Sequence, residues 1–366
     1  MPSAPRAMTK WATKGLVTAL AATALLLLSA CGPDPTPIPT TTPTPTPTAT
    51  PPPAPIDLVP ADANLVANVE LGRILADADL ASAFESAPLG EDGPASLEDA
   101  LAEVEAETGI DLRVFSRIVV FGVFDPTADV DDQMGFGPGG DFGILARGTF
   151  DSDAILDRIR LGSDAEFRED EYRDHALLIG AGEDGSEIII TVLADGVFVL
   201  GTLGAVTSVI DVLEDGSGAL GGLLLDTYDG LGDPLVKLAF AVPPGSFDDL
   251  SDVPVDQIPI PFEPSLLSDI EVIGFSGDKQ SDLVTIELLL EYTSAGSAEE
   301  ASDYFDALLT VFGPFLPPGA AADLLEQIVV AHAGSTVTIT FSATVDQLTA
   351  AGEEMGALDE SGLIPG

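Results

Sequence analysis

Ser276 and Lys279 have the Ser-x-x-Lys spacing of some enzymes that use a serine nucleophile. The same serine fails the hydrolase elbow Gly-x-Ser-x-Gly, because the second glycine, Gly277, comes one position early. The chain also contains neither the Ser-Asp-Asn nor the Lys-Thr-Gly motif that accompanies Ser-x-x-Lys in those enzymes. We therefore predict that residues 276–279 form a polar hairpin turn.

The chain has two histidines, His175 and His332. Neither has a second histidine at metal-binding spacing, so the sequence does not predict a zinc site. Either imidazole could act as the base for a serine, but only if the fold brought the two side chains together. We expect ordinary surface or strand-end histidines.

Five aspartates lie in a glycine-rich stretch between two predicted strands: Asp125, Asp129, Asp131, Asp132 and Asp141. Asp129 and Asp131 begin an EF-hand pattern, but Met134 replaces the required glycine and Gly140 stands where the bidentate glutamate belongs. An EF-hand is therefore excluded. A looser calcium site on Asp129, Asp131 and Asp141 stays open, because calcium needs only converging oxygen atoms. A solvated acidic loop is the preferred interpretation, and no other cofactor is predicted.

Cys31 is the only cysteine of the chain, and an ordered set of residues precedes it. Three basic residues come first (Arg6, Lys10 and Lys14), then an apolar run from Leu16 to Leu28, then Ser29-Ala30. The segment 16–30 is shorter than the roughly 20 apolar residues that span a bilayer. An ordinary cleaved signal peptide needs no cysteine at its end.

This arrangement resembles the lipobox of bacterial lipoproteins. The resemblance implies that residues 1–30 are a signal peptide cleaved before Cys31. It also implies that the Cys31 sulfur carries diacylglycerol and that the new amine is acylated, with palmitate as a typical chain. At about 0.8 kcal/mol per methylene, two or three acyl chains anchor a protein stably. We expect the mature protein in the cell envelope, on the extracytoplasmic face of a bacterial membrane.

The chain is strongly acidic. Residues 1–30 contain three of the 13 basic residues and none of the 61 acidic ones, so a chain starting at Cys31 has a net charge of −51. This charge repels phosphate backbones and anionic surfaces, which excludes nucleic acid as a partner. Adaptation to salt, a compositional bias and cation binding are all compatible with it.

Residues 31–55 are predicted to form a stalk. Positions 32–55 hold 11 prolines and eight threonines, a composition that prevents helix and sheet and favours extended polyproline II. The folded body is expected to begin at Ile56.

Residues 56–220 and 221–366 are predicted to form two α+β units. Alternating apolar runs and turn signals such as Asp195-Gly196 predict antiparallel sheets. Helices are predicted between the caps Ser96 and Gly109, from the capping pair Ser297 and Glu300, and after the pair Thr344 and Gln347. We expect these helices to pack on one face of the sheets.

The two units share a short match. Ser116–Gly122 and Ser268–Gly274 are identical at four of seven positions, at an offset of 152 residues. We therefore predict an internal duplication of a unit with the order strand, strand, helix, strand, strand, helix.

Leu58–Ala63 opens the body with the residues Val-Pro-Ala-Asp-Ala after the leucine. Together with the lipobox and the stalk, it resembles the opening of a group of uncharacterised bacterial envelope proteins. The resemblance implies an envelope location and an α+β body, and it implies no activity.

Three functions follow as hypotheses. The first is a lipid-anchored surface protein with a non-enzymatic role in binding or in organising the envelope. The second is a carrier of lipid or another apolar ligand, held between sheet and helices near Leu220–Leu225 and the proline-bracketed loop Ile258–Phe262. The third is an envelope hydrolase with a concealed site that uses Ser276 or a histidine. Apart from the membrane, which the lipid would bind, the partner is not specified.

Overall fold

The computed structural model describes residues 53–86, 94, 96–124, 140–162, 167–181, 187–193, 196–216, 218–247, 265–313 and 319–360. Several predictions lie outside these ranges, namely those on the signal segment, on Cys31, on most of the stalk, on Asp125 to Asp132 and on the loop Ile258–Phe262. Among the described helices, none combines the length and the apolar character that crossing a membrane requires.

Twelve strands are present in the described residues. Their bounds are β1 Leu65–Val69, β2 Phe115–Gly122, β3 Phe142–Gly148, β4 Phe167–Tyr172, β5 His175–Ala181, β6 Glu187–Leu193, β7 Val197–Gly201, β8 Val236–Ala241, β9 Ile270–Gln280, β10 Leu283–Tyr292, β11 Ile328–Ala333 and β12 Thr336–Thr344.

The helices of the same ranges are α1 Leu71–Ala76, α2 Ala78–Ser86, α3 Leu97–Thr108, α4 Ser152–Gly162, α5 Leu203–Asp215, α6 Gly222–Gly230, α7 Ser265–Ser268, α8 Ala295–Phe312, α9 Ala320–Leu325 and α10 Val345–Glu360. Two short 3-10 helices span Pro55–Leu58 and Leu112–Val114.

All twelve strands belong to one antiparallel sheet, in the order β11-β12-β10-β9-β8-β1-β2-β3-β7-β6-β5-β4. The predicted α+β class with antiparallel strands is thus confirmed. Each predicted unit supplies one side of this sheet. The two sides meet where β1 pairs with β8, from Leu65 opposite Phe240 to Val69 opposite Val236.

The strand order is similar on the two sides of this central pair. One side continues as β1-β2-β3-β7-β6 and the other as β8-β9-β10-β12-β11, with β5 and β4 added beyond β6. The short sequence match does not follow this correspondence in register. Val120 of β2 lies opposite Ala67 of β1, and Ala67 in turn lies opposite Leu238 of β8. The residue that matches Val120 in the second unit is Val272 of β9, and it lies opposite Ala241, three positions from Leu238. Positions three apart in a strand point to opposite faces, so the duplication stays a prediction.

Helices cover both faces of the first half of the sheet. Leu145 and Ala146 are neighbours in β3 and therefore point to opposite faces, which we name face B and face A respectively. Leu145 shares a core cluster with Val206, Val209 and Ile210 of α5. Ala146 shares another with Ile155 and Ile159 of α4. The prediction that helices pack on one face is wrong here, because β3, β6 and β7 carry apolar side chains in both directions and each face must be covered.

The second half has helices on face A. Val337 and Ile339 of β12 pack with Ala298 and Ala301 of α8, and Ala343 packs with Leu348 of α10. The alternate residues of β12 point to face B: Thr336, Thr338, Thr340, Ser342 and Thr344. The helices on the outer strands of this half therefore lie on face A, whereas α6 packs on face B of β8 and β9.

The hairpin β4–β5 is not predicted by the sequence. Four of the six residues of β4 are charged (Arg168, Glu169, Asp170 and Glu171), so the apolar alternation of a half-buried strand is missing. Arg173 and Asp174 form the turn with φ of 47° and 63°, although neither is glycine.

The packing of α5 on face B yields a stability prediction. Leu145 is fully buried and Leu161, at the end of α4, is 86% exposed. Leu145→Ala should lower the free energy of unfolding by about 3 kcal/mol, because it leaves a cavity beneath α5. Leu161→Ala is the matched control and should change it by less than about 0.5 kcal/mol. Denaturant titration followed by circular dichroism measures both, and equal effects of the two substitutions would contradict the assignment of Leu145 to the core.

Candidate functional site

Ser276 and Lys279 lie in strand β9, so the prediction of a polar turn at these residues is wrong. β9 continues to Gln280, and the turn follows at Ser281, which has φ of 58°. Residues three apart in a strand point to opposite faces. The serine and the lysine are therefore on different sides of the sheet and cannot form a dyad.

Lys279 holds the start of a helix. Its Nζ donates to Asp77 Oδ2 at 2.8 Å and to Asp79 Oδ2 at 3.0 Å, and its side chain is 3% exposed. Burial by itself would lower the pKa of Lys279, but the hydrogen bonds to the two carboxylates raise it above its ordinary value. The Asp77 carboxylate also accepts from the backbone N–H groups of Asp79 and Leu80 at the beginning of α2. The contacts of Lys279 therefore serve the structure, since they hold the residues at the start of α2.

The two histidines are distant from Ser276. His175 is in β5, and its Nε2 lies 3.0 Å from Glu214 Oε1 of α5. β5 is seven strands from β9, which is about 34 Å at the usual strand spacing. His332 is exposed in β11, three strands from β9, and points to face A in line with Val337. Ser276 points to face B, so neither imidazole reaches it.

Ser276 belongs instead to a buried polar cluster at the centre of the sheet. Its neighbour across the strands is Lys237 of β8, and the next residue in line is Asn68 of β1. We call the following residues the central polar cluster. They are between 1% and 8% exposed: Asn68, Glu70, Tyr228, Lys237 and Ser276. Asn68, Lys237 and Ser276 point to face B, and Tyr228 approaches them from α6.

Lys237 is the cationic centre of the cluster. Its Nζ donates to the backbone oxygens of Tyr228 at 3.1 Å and Gly232 at 2.7 Å. The same atom lies 3.8 Å from the centroid of the Tyr228 ring, within range of a cation–π interaction. These carbonyls lie at the C-terminal end of α6, where a cation is favourable. Burial lowers the pKa of Lys237, and the nearby Asp229 and Asp233 oppose this shift.

Glu70 completes the cluster. Its Oε1 accepts from Asn68 Nδ2 at 3.1 Å and forms an ion pair with Nε of Arg117 in β2. Among the residues that the structure describes, the buried Asn68 Oδ1 has no hydrogen-bond partner, an arrangement that costs stability. The cluster joins α6 to the central strands β1, β8 and β9. Because its lysine is committed to carbonyl groups and its serine is buried, it has the features of a structural network.

Asp141 is the one calcium candidate that the described residues include. Its Oδ1 accepts from Thr202 Oγ1 at 2.6 Å, and Thr202 is the N-cap of α5. Within the described ranges, no group of three or more histidine, cysteine or acidic side chains is placed to hold a metal ion. Because Asp129 and Asp131 lie outside those ranges, the calcium site stays an open prediction.

The side chains suggested for an apolar ligand lie partly in the core. Leu220 and Leu224 pack with Val206 and Val209 of α5. A recess of about 260 Å³ is present elsewhere, between α9 and α10. Its lining residues are Ala320, Asp323, Asp346, Gln347 and Ala350. The positions of Leu220 and Leu224 favour their interpretation as core residues.

Face B of β12 is polar, and it lies beside polar residues of β10. Thr336 Oγ1 lies 3.0 Å from both carboxylate oxygens of Glu291, and Thr285 Oγ1 lies 3.2 Å from Ser342 Oγ. Burial raises the pKa of Glu287 on the same face. The described helices that pack on β12, α8 and α10, lie on face A. Face B of β12 is therefore lined by partly exposed hydroxyl groups.

No family model and no curated protein matches the sequence. The fold is similar to three crystal forms of TP0453, each at 10% sequence identity. Form III has a TM-score of 0.44 and covers 81% of this chain and 96% of that chain. Forms I and IV have TM-scores of 0.40, with 82% and 81% of this chain and 97% and 96% of that chain covered.

The ion pairs of Lys279 give a prediction with a defined pH dependence. Lys279→Met should lower the free energy of unfolding by about 2 kcal/mol at pH 8, because Asp77 and Asp79 lose their buried counterion. The pKa of the lysine is raised above its ordinary 10.5 in the folded chain. Its stabilising effect is therefore complete below pH 10.5 and is lost as the pH rises through the raised value. The difference between wild type and variant should narrow above that pH.

Arg160→Met is the matched control for Lys279→Met. Arg160 also pairs with two carboxylates, Asp157 and Glu169, but its side chain is 38% exposed. Its removal should change the free energy of unfolding by less than about 0.5 kcal/mol. Urea titrations between pH 8 and pH 11 measure both variants. A Lys279→Met effect no larger than that of Arg160→Met would contradict the role assigned to Lys279.

Proposed function

We propose that the protein is a lipid-anchored component of the bacterial cell envelope, with a non-enzymatic role in binding or in organising that envelope. The observation that carries the proposal is the order of basic residues, apolar run, Ser29-Ala30 and Cys31. This order is that of a lipobox, and lipid chains on Cys31 supply a stable anchor without a spanning helix. The anchor faces the extracytoplasmic side.

The stalk and the charge of the body support this proposal. An extended polyproline segment of 24 residues reaches about 70 Å at about 3.1 Å per residue. The net charge of −51 repels anionic lipid headgroups and keeps the body dispersed in solvent. We expect the predicted stalk and this repulsion together to hold the folded body away from the membrane, where partners in the envelope can reach it.

The polar groups of the body support binding in preference to catalysis. Ser276 is 6% exposed and has no imidazole near it. Lys237 and Lys279 are occupied by carbonyl and carboxylate groups. The threonines of β12, in contrast, present a regular hydroxyl surface on face B. A surface of this kind suits a binding partner, since it offers hydrogen bonds without a reactive group.

The anchor is tested on protein isolated from its own membrane. Mass spectrometry of the N-terminal peptide should show a chain that begins at Cys31 and carries a diacylglyceryl thioether and an acylated amine. Cys31→Ser should abolish incorporation of labelled palmitate, because the sulfur that starts the modification is missing. Thr42→Ala, in the stalk, is the control and should leave incorporation unchanged. An unmodified Cys31, or a mature chain that begins elsewhere, would refute the anchor.

The absence of serine catalysis is tested separately. A fluorophosphonate probe should leave the full chain unlabelled, because Ser276 is buried and lacks a base. The same incubation with a known serine hydrolase shows that the probe is active. Labelling of the wild type that disappears in Ser276→Ala would instead establish a hydrolase and overturn the non-enzymatic role.

A further inference from the structure

The two outer strands of the sheet differ sharply in charge. β4, at one end, has four charged residues out of six, and Arg168 pairs there with Asp170 and Glu187. β11, at the other end, has the sequence Ile-Val-Val-Ala-His-Ala and no acidic or basic residue other than His332. Charged side chains on an outer strand prevent pairing with another chain. β4 has this protection and β11 does not.

The uncharged region extends to the neighbouring strand. Residues 328–344, which form the hairpin β11–β12, contain no Asp, Glu, Lys or Arg, in a chain of which 20% is charged. We call residues 328–344 the neutral hairpin. Two molecules with a net charge of −51 repel each other. The neutral hairpin lets two copies approach without bringing like charges into direct contact.

The outer edge of β11 is accessible. Within the described residues, β11 pairs with β12 on one side and no strand lies on the other. Val329 is 60% exposed, and Ala331 and Ala333 on the same face are exposed as well. The strand is six residues long and contains neither proline nor glycine, so it presents a regular row of backbone donors and acceptors.

We propose that the outer edge of β11 binds β11 of a second copy of this chain, in antiparallel pairing about a twofold axis. The two twelve-stranded sheets then form one continuous sheet. A twofold contact uses the same surface on both copies and closes after two molecules. Pairing of β11 with β4 would instead place Glu169 and Asp170 beside apolar side chains and would repeat without closing.

The pleat of the strands restricts the register of this contact. A twofold axis perpendicular to the sheet keeps face A and face B on their own sides, so one residue must lie opposite its own copy. That residue is Val330 or Ala331, near the middle of the strand. Either choice brings Val329, Ala331 and Ala333 of both copies together on face B. The threonine surfaces of the two β12 strands then become part of one larger face.

The expected dimer is weak and strengthened by salt. Six paired residues bury less than the roughly 1,200 Å² of a standard interface. Helix α8 packs on face A beside β11, and its acidic residues Glu299, Glu300 and Asp303 are exposed. Near the axis, the two copies of α8 repel each other, and added salt screens this repulsion.

Sedimentation velocity of the full mature chain in detergent tests the proposal. We expect a concentration-dependent dimer whose dissociation constant falls as NaCl is raised from 50 to 500 mM. Val329→Glu should raise the dissociation constant at least tenfold, since it puts two carboxylates at the contact. Leu161→Glu adds the same charge at an exposed site far from β11 and should have no comparable effect. Thermal unfolding checks that both variants are folded.

Two results would overturn the proposal. One is a monomer at all concentrations and salt levels. The other is a dimer that Val329→Glu and Leu161→Glu weaken equally, because the contact would then lie elsewhere.

Single cysteine substitutions at the two central positions locate the contact in intact cells. Val330→Cys or Ala331→Cys, according to which residue lies opposite its own copy, should form an oxidant-dependent dimer on a non-reducing gel, and Leu161→Cys should not. Crosslinks of these cysteines only to a different protein would show another occupant and would also overturn the proposal. If the wild type crosslinks, the thiol of Cys31 is free. That result would refute the anchor. The pairing of β11 would then be tested with the β11 cysteine substitution in a chain that also carries Cys31→Ser.

Discussion

The antiparallel pairing of β1 with β8 is the constraint on which the rest of the molecule depends. It joins the two sides of the sheet through five residue pairs and so fixes which side chains share a face across all the strands. One row on face B crosses ten of them: Thr191, Val199, Leu145, Val119, Asn68, Lys237, Ser276, Glu287, Thr340 and Val329. A shift of β8 by one residue would move Lys237 to the opposite face.

The polarity of the side chains in this row explains why the helices that cover face B differ between the two halves. From Val199 to Val119 the row is apolar, and α5 covers it. From Asn68 to Thr340 it is polar. Lys237 can be buried there because the carbonyl groups at the end of α6 accept hydrogen bonds from its ammonium group. Farther along, Glu287 and Thr340 tolerate solvent, so the threonine surface needs no helix above it.

The sequence predicts the local elements well and their assembly poorly. The caps Ser96 and Gly109 bound α3 as predicted, with Gly109 at φ of 72°. Thr344 precedes α10 and exchanges hydrogen bonds with Gln347 in its first turn, also as predicted. The predicted capping pair Ser297 and Glu300 is wrong, because α8 begins three residues earlier, with Ser294 as its N-cap. Helix caps depend on a few adjacent residues, so they can be recognised in the sequence alone.

Sheet order, the covered faces and the central polar cluster depend on contacts between distant residues. Lys237 could have been noticed as a single lysine inside an apolar strand, but its partners at residues 228 and 232 are set by the fold. The sequence predicts a turn at Ser276, because glycines and polar residues usually mark turns. In β9 those residues meet other polar groups across the central strands.

The position of β1 has a mechanical consequence. The residues before it enter the molecule through the short helix Pro55–Leu58, whose Leu58 is buried, and then lead into the middle of the sheet. A force that pulls on this end acts along β1, which has five register pairs with β2 and five with β8. Both ladders must shear at once before the strand can leave. An outer strand would peel away pair by pair, so entry at the centre makes the body resistant to tension transmitted through its N-terminal side.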